Sequence, residues 1–150
     1  MSTELRGKVL RVGSRVYGTH SPKSDHDLVA LSEYGDMYRE YLTKRDYFLQ
    51  EKKEGSREQY KETTEYWHKD GVIINLILVG TATQMALWAR MTELVAPIAQ
   101  RPEVTREEYL KIADILMEVQ AVRNIRVDEL IDIGEAVMNA ENLARREETK

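Results

Sequence analysis

The order of apolar and polar residues over the first eighty positions predicts short strands separated by turns. Lys8–Val12 is mainly aliphatic and stops at a glycine, and His26–Ser32 is a second such run that ends before Gly35. The clearest signal is a hairpin, whose arms Thr63–His68 and Val72–Val79 are joined by an Asp-Gly turn. The second arm is apolar on both faces, which indicates a central strand covered on each side.

Helical periodicity accounts for most of the remaining chain. Asp36–Lys53 carries a partial apolar stripe among many charges and is predicted to be a helix, and the polar segment Glu54–Lys61 is predicted to be a connection. From residue 81 onward the pattern is helical, with a stop at a proline and a capping box that opens the second helix. The three expected helices run over Thr81–Ala96 before Pro97, from Thr105 to about Val122, and over Val127–Arg146 with Leu130, Ile131, Ile133 and Val137 as its buried stripe.

These elements predict an α+β fold, in which a small mixed or antiparallel sheet with helices over residues 1–80 is followed by C-terminal helices over residues 81–150 that pack on it. A chain of 150 residues with 42% hydrophobic residues is long enough for one domain with a continuous core. Its longest apolar stretch, Val72–Gly80, is too short to cross a membrane. The chain has no cysteine and begins with the polar segment Met1–Arg6, so we expect a cytoplasmic protein without disulfides.

Charge changes the picture of possible partners. Residues 1–80 hold 13 Lys/Arg and 13 Asp/Glu, whereas residues 81–150 hold 9 and 13, so the net charge of −4 lies in the second half. Proteins that grip long DNA usually present a basic face, which this balance does not favour. A local basic patch is expected to hold a triphosphate or a short RNA end, and it comprises Arg11, Arg15, Lys23, Lys44 and Arg45. The sequence leaves self-association open.

The candidate chemistry lies between the first two predicted strands. Gly13-Ser14 follows the first strand, and ten residues later Asp25-His26-Asp27 opens the second. Residues at alternate positions of a strand project from one face, so Asp25 and Asp27 are expected to point toward the same volume. Two carboxylates beside a Gly-Ser turn suit a divalent cation that bridges to a phosphate. The turn Ser14–Tyr17 would present backbone N–H groups to that anion.

The spacing Gly-Ser, ten residues, Asp-x-Asp resembles the signature of the minimal nucleotidyltransferases of the polymerase-beta-like superfamily. The resemblance covers about the first eighty residues. It implies that Asp25 and Asp27 hold two Mg²⁺ (or Mn²⁺) ions and that Ser14 contacts the outer phosphates of an NTP such as ATP. Gly13 would let the backbone approach a phosphate. Arg15 and Lys23 are candidate phosphate clamps or, equally, ordinary exposed loop charges.

One position departs from the family pattern. The family uses a third carboxylate on a later strand, and the matching position holds Asn75, whose amide carries no charge and accepts no proton at neutral pH. The chain could work with two carboxylates, could use Glu65 or His68 instead, or could bind nucleotide without turnover. The Asn-Leu-Ile sequence that begins at Asn75 and the following helix with Trp88 also resemble nucleotidyltransferase-like proteins of tailed phages.

The resemblance implies a Mg²⁺-dependent nucleotidyltransferase that moves a nucleoside monophosphate from NTP to a protein hydroxyl or to a tRNA or other RNA end. Antitoxin-like members of the family modify HEPN-domain RNase partners in this way, and the acidic charge favours a protein acceptor here. The alternative is a catalytically inactive nucleotide-binding or protein-interaction module that keeps the fold. A third possibility is a helical interaction module in which the Gly-Ser loop is incidental.

The remaining chemically distinctive residues are assigned structural roles. His20, His26 and His68 show no spacing typical of metal ligands, and His26 must point to the face opposite the two aspartates. Trp67 and Trp88 are expected in the core.

Overall fold

A computed structural model describes residues 5–19, 24–54, 62–119, 125–126 and 129–148. Six strands form one mixed sheet in the order β3–β4–β5–β2–β1–β6, in which β2 and β5 are parallel and all other neighbours are antiparallel. The prediction of an α+β fold with a mixed sheet is confirmed. The strands are β1 (Lys8–Val12), β2 (His26–Leu31), β3 (Phe48–Glu54), β4 (Thr63–Lys69), β5 (Val72–Val79) and β6 (Ile131–Asp132).

Within the described residues five α-helices pack around the sheet, and a short 3₁₀ turn over Ser32–Tyr34 follows β2. Helix α1 is a single turn directly after β1, whereas α3 and α4 each begin with a Thr capping box. No helix in the part of the chain that the structure describes is both long and apolar enough to span a membrane. The helices are α1 (Ser14–Tyr17), α2 (Gly35–Lys44), α3 (Ala82–Ala99), α4 (Arg106–Glu118) and α5 (Ile133–Glu148).

The two faces of the sheet are covered by different helices. On the front face, Val29 of β2 and Ile77 of β5 pack with Met85 of α3, and α4 packs on the outer side of α3. On the back face, Leu28 and Leu76 pack with residues of α2 and α5. Because side chains alternate along a strand, every residue of β2 is assigned to one face or the other by its parity.

The helix predicted over Asp36–Lys53 is wrong in its second half, because α2 ends at Lys44 and residues 48–54 form strand β3. Asp46 has a positive φ of 69°, which turns the chain out of the helix, and Tyr47 then enters the back core. The charged residues that follow suit an exposed edge strand, which explains their helix-like polarity in the sequence. The remainder of the predicted connection, residues 55–61, lies outside the described residues.

Smaller differences affect other element ends. Residues Ile131–Asp132 pair with β1 as strand β6, so the last helix begins at Ile133 instead of Val127, a position outside the described residues. Pro97 lies inside α3 instead of ending it, because a proline in the last turn removes only one hydrogen bond near the helix end. Strand β2 ends one residue earlier than predicted, and Gly35 begins α2. The predicted end of the second helix at residue 122 also lies outside the described residues.

Candidate active site

The parallel pairing of β2 with β5 places three polar side chains together on the front face. Asp27 lies in register with Asn75, and Asp25 directly precedes β2. The Nδ2 amide group of Asn75 donates to Asp25 Oδ2 at 2.9 Å and to Asp27 Oδ1 at 2.8 Å. Because the two N–H bonds of one amide diverge by about 120°, the two carboxylate oxygens lie about 5 Å apart. The two acids, called the acid pair below, therefore share one volume with Asn75.

Gly13 is required at this site because the carboxylate of Asp27 lies against it. Gly13 has φ 80° and ψ −162°, a backbone conformation that residues with a side chain rarely adopt. A Cβ atom at Gly13 would lie 2.0 Å from Asp27 Oδ2. The sequence predicted a glycine that lets a phosphate approach, whereas the close group in the structure is the carboxylate of Asp27. The Gly-Ser turn and the acid pair are therefore in direct contact.

Ser14 is the first residue of α1 and lies next to this contact. Its carbonyl accepts the N–H groups of Gly18 and Thr19, at 2.9 and 3.0 Å. Its hydroxyl has no hydrogen-bond partner within the residues that the structure describes. Ser14 thus has a hydroxyl available beside the acid pair, as the phosphate-binding prediction requires.

Arg15 has a visible role different from the one predicted. Its Nε and Nη2 atoms donate to the backbone carbonyl of Ser24, at 3.2 and 3.0 Å. This contact joins α1 to the residue immediately before Asp25, so Arg15 positions the acid pair in this structure. Contact with a phosphate stays a prediction for Arg15, and Lys23 lies outside the described residues.

The other members of the predicted basic patch do not gather at the site. Lys44 pairs with Glu40 along α2 at 2.7 Å. Arg45 pairs with Glu141 of α5, at the back of the sheet. Lys44 and Arg45 therefore pair with acids away from the site and do not form one patch with the other basic residues. Among the described members of the predicted patch, Arg11 and Arg15 line a common cleft.

Arg106 is a site residue that the sequence analysis missed. It is the first residue of α4; burial raises the pKa of Asp27, and the positive charges of Arg106 and Arg15 partly oppose that rise. Helix α4 is held near α1 by the Thr19–Tyr109 hydroxyl contact at 3.2 Å and by the edge-to-face packing of Tyr17 on Tyr109. The capping box predicted where α4 begins, but no local spacing connects position 106 with position 27.

Burial dominates the electrostatics of the acid pair. It raises the pKa of Asp27 to about 6; the hydrogen bond from Asn75 opposes this shift, and the charge of Asp25 adds to it. A neutral amide is a weaker counterweight to two carboxylates than a cation, since it supplies only partial positive charge. Asp27 is therefore mainly ionised above about pH 6, with a neutral amide as its direct hydrogen-bond donor.

Asn75 also shows whether a divalent cation fits this site. Its side chain is buried, and its Oδ1 atom has no hydrogen-bond partner, while its Nδ2 atom lies between the two carboxylates. Turning the amide over would direct Oδ1 toward the acid pair, an arrangement that is favourable when a cation lies between the three oxygens. No group of three His, Cys, Asp or Glu gathers among the described residues, so the ligands here would be two carboxylates and one amide oxygen. Three hard oxygen donors fit Mg²⁺ or Mn²⁺.

Neither of the two candidate substitutes for the third carboxylate reaches the acid pair. Glu65 lies in register with Leu76 on the back face, where Arg39 contacts it at 2.8 Å and the indole of Trp67 donates to it at 3.2 Å. His68 lies on the front face, in register with Ile73 instead of Asn75, and its ring stacks on Phe48. Asn75 is therefore the β5 residue that faces the acid pair.

The two tryptophans belong to the core, as the sequence predicted. Trp67 is buried in the back core. Trp88 packs partly buried against the front core, and its indole donates to Glu62 at 3.1 Å. His26 faces the back, opposite the acid pair, and His20 lies outside the described residues.

Comparison with known proteins supplies no relative: no family model, no curated protein and no solved structure matches this chain. The fold and the site thus define a class by their own geometry. The chain is an α+β protein whose mixed sheet carries a paired-carboxylate site, closed on one side by a Gly-Ser turn.

Proposed function

We propose that the protein is a divalent-cation-dependent nucleotidyltransferase that moves a nucleoside monophosphate from an NTP to an acceptor hydroxyl. The observation that supports it best is the convergence of Asp25, Asp27 and Asn75 on one face, with Gly13 of the Gly-Ser turn against the carboxylate of Asp27. The resemblance of the Gly-Ser and Asp-x-Asp spacing to the polymerase-beta-like superfamily, including its tailed-phage members, points to the same chemistry.

The reaction assigns a role to each side chain. The acceptor oxygen attacks the α-phosphorus of the NTP, the bond to the β-phosphate breaks, and pyrophosphate leaves. The acid pair and Asn75 Oδ1 would hold Mg²⁺, which supplies charge neutralisation of the phosphates and lowers the pKa of a bound hydroxyl. Ser14 would donate its hydroxyl to the outer phosphates, and Arg106 would add positive charge beside Asp27.

The substitution at Asn75 restricts where the acceptor proton can go. An amide does not accept a proton at neutral pH, so the proton leaves to a carboxylate of the acid pair or to water. We infer a slower chemical step than a third carboxylate would give.

The acceptor proposed here is a protein hydroxyl, with a tRNA or other RNA end as the second choice. The negative charge of residues 81–150 disfavours a long polyanion. The basic side chains whose charges act on Asp27, Arg15 and Arg106, could contact a triphosphate but do not form an extended basic face.

A labelled-transfer assay tests the proposal. The purified protein is incubated with α-labelled ATP, GTP, CTP or UTP, Mg²⁺ or Mn²⁺, and cell lysate or isolated tRNA. We expect label on a protein or RNA acceptor, and loss of transfer by at least about 10³-fold in Asp25→Ala. Asp36→Ala is the matched control, because that aspartate is exposed and lies on α2. Transfer that survives in Asp25→Ala would contradict the proposal.

The arrangement of Asn75 also favours a second function, nucleotide binding without turnover. Its amide donates a hydrogen bond to each of the two acids, so this arrangement folds without a bound metal ion. In that case a thermal shift by NTP and Mg²⁺ would depend on Asp25, while no acceptor would become labelled under any of the conditions above. Stabilisation by nucleotide in the absence of label transfer would decide for this alternative.

A further inference from the structure

A cleft of about 290 Å³ lies between the ends of β1 and β2, helix α1 and helix α5. His26 and Leu28 of β2 line it, and both point to the back face, whereas the acid pair occupies the front. Helix α5 contributes Asn139 and Leu143, which lie four residues apart and therefore on one side of the helix. Most of the cleft therefore lies on the back face, and it meets the acid pair at Asp27, which also lines it.

The walls of the cleft combine apolar surface with a cation. Val16, Leu28 and Leu143 supply aliphatic surface, and Val16 is 40% exposed. Arg11 also lines the cleft, and within the part of the chain that is described its guanidinium makes no hydrogen bond or ion pair. A guanidinium without an acidic partner beside aliphatic side chains is suited to an anion that carries an apolar body.

Few groups compete with such an anion. Asp27 is the one acidic residue among the described residues that line the cleft, and its carboxylate accepts from Asn75 on the front face. Arg15 borders the cleft while its guanidinium contacts Ser24, so it adds positive charge at the rim. The amide of Asn139 offers a further hydrogen-bond donor. Glu93 and Glu129 line a neighbouring cleft with Arg11 but pair with Arg90 and Arg126, so the charge of Arg11 favours an anion in this cleft.

We propose that this cleft binds a small organic carboxylate with an apolar body, its carboxylate on Arg11 and its body against Leu28, Val16 and Leu143. A planar guanidinium recognises a carboxylate through two parallel hydrogen bonds, which favours this anion over a halide. The volume lies at the lower limit of ordinary ligand pockets, so the body is of the size of one phenyl ring or a branched aliphatic chain. The site requires neither nucleotide nor metal and is separate from the proposed transferase function.

Hydrocinnamate, a phenyl ring on a short carboxylate chain, is the probe for a test by ¹⁵N NMR titration of the full chain without nucleotide or metal. We expect saturable shifts at the backbone amides of Arg11, His26 and Leu143 with a dissociation constant in the millimolar range, as for a small fragment. The neutral amide of the same acid should bind about tenfold more weakly, and acetate, which lacks the apolar body, should not saturate.

Variants test recognition of the carboxylate and recognition of the apolar body separately. Arg11→Gln should weaken hydrocinnamate about tenfold and remove the preference over the neutral amide. Leu143→Asn should weaken acid and amide alike. Lys111→Gln, which removes one exposed positive charge of α4, is the matched control and should change neither. Asp25→Ala should leave binding intact, so failure of the transferase proposal and failure of this one are distinguishable.

Several results would overturn the proposal. Absence of saturable shifts, or shifts that map to the front face, would show that the cleft is not this site. Equal affinity for the acid and the amide, unchanged in Arg11→Gln, would show an apolar crevice without anion recognition. Equal weakening by Lys111→Gln would assign the effect to net charge instead of to the cleft.

Discussion

Glu65 on the back face and Asp27 on the front face are acids of the same sheet, and they differ in what balances their charge. Glu65 is almost fully buried, and it accepts from the guanidinium of Arg39 and from the indole of Trp67. Asp27 accepts from a neutral amide and has a second carboxylate beside it. The back acid has a cation in direct contact, whereas the direct hydrogen-bond donor of the front acid is a neutral amide, and Arg106 and Arg15 act on it only through their charge.

A second back acid repeats the first arrangement. Glu141 of α5 forms ion pairs with Arg45 and with Lys69, the latter at 3.0 Å. Its burial alone would raise the pKa, but the hydrogen bonds from these two cations outweigh that effect and lower the pKa of Glu141. These acids form ion pairs that hold helices against the sheet, and their charge is balanced without a bound metal ion. The acid pair has a neutral amide as its direct donor, so a bound cation would neutralise its remaining charge. For that reason we place the proposed cation site on the front face.

The largest expected effect comes from breaking the compensated pair. Arg39→Ala would leave Glu65 buried without its cation, and we expect the free energy of unfolding to fall by about 3 kcal/mol in urea denaturation. Lys44→Ala, at the exposed pair with Glu40, is the control and should cost less than about 0.5 kcal/mol. A loss below about 1 kcal/mol in Arg39→Ala would mean that the back acid does not depend on its cation, and the contrast between the faces would weaken.

The next largest effect concerns the contact between the Gly-Ser turn and the acid pair. Gly13→Ala combines an unfavourable backbone angle with a Cβ atom that overlaps Asp27 Oδ2, so we expect a loss of about 2–3 kcal/mol. Gly71→Ala has nearly the same φ, 81°, but a Cβ there meets nothing within 4 Å, so it should cost only about 1 kcal/mol of backbone strain. Equal losses in the two variants would show that Asp27 does not lie against the turn.

The sequence predicted those parts of the site that depend on local rules. Alternation along one strand placed Asp25 and Asp27 on one face, and the hairpin identified β5 as the strand that carries Asn75. The effect of the charge of Arg106 on Asp27 could not be predicted, because it depends on how α4 packs on α1 and not on spacing along the chain. For the same reason the sequence did not distinguish Glu65 as a back-face acid.

The fold was predicted where strands carry apolar residues and was wrong where they do not. Strand β3 is charged and lies at the sheet edge, so its pattern resembles that of a solvated helix. Strand β6 has only two residues and is defined by its pairing with β1. Both elements are determined by partners distant in sequence, which periodicity does not detect.

A third variant sharpens the contrast by changing the front donor into an acid. Asn75→Asp removes both amide hydrogen bonds and adds a third carboxylate, so in the presence of a chelator we expect a loss of about 2 kcal/mol at neutral pH. Mg²⁺ or Mn²⁺ should restore this stability and stabilise the variant more than the parent chain. The readout is urea denaturation with and without metal.

The control for that variant is Asn142→Asp, which adds the same charge at an exposed position of α5. It should change neither the stability nor the response to metal by more than about 0.5 kcal/mol. Equal metal responses of Asn75→Asp and the parent chain would indicate that position 75 does not face a cation site.

The smallest effect is a pH dependence of opposite sign on the two faces. The pKa of Asp27 is raised in the folded protein to about 6, from an ordinary value near 4, so the folded state binds more protons between these values. Its contribution to stability therefore falls as pH rises through this window, and we expect about 1–2 kcal/mol in the metal-free protein. Glu141 has a lowered pKa, so its contribution is present above its ordinary value and is lost as the pH falls through its folded value.

Urea denaturation from about pH 2.5 to about pH 7 in the presence of a chelator, on the parent chain and on two variants, separates these contributions. Asp27→Asn should remove the loss of stability on going from pH 4 to pH 6, because the asparagine does not titrate. Glu141→Gln should keep the loss of stability between pH 4 and pH 6. It should remove the gain in stability that the parent chain shows as the pH rises from the folded pKa of Glu141 to its ordinary pKa. If Asp27→Asn kept the slope of the parent chain, the front acids would be as well compensated as the back ones, and the difference between the faces would no longer indicate a cation site.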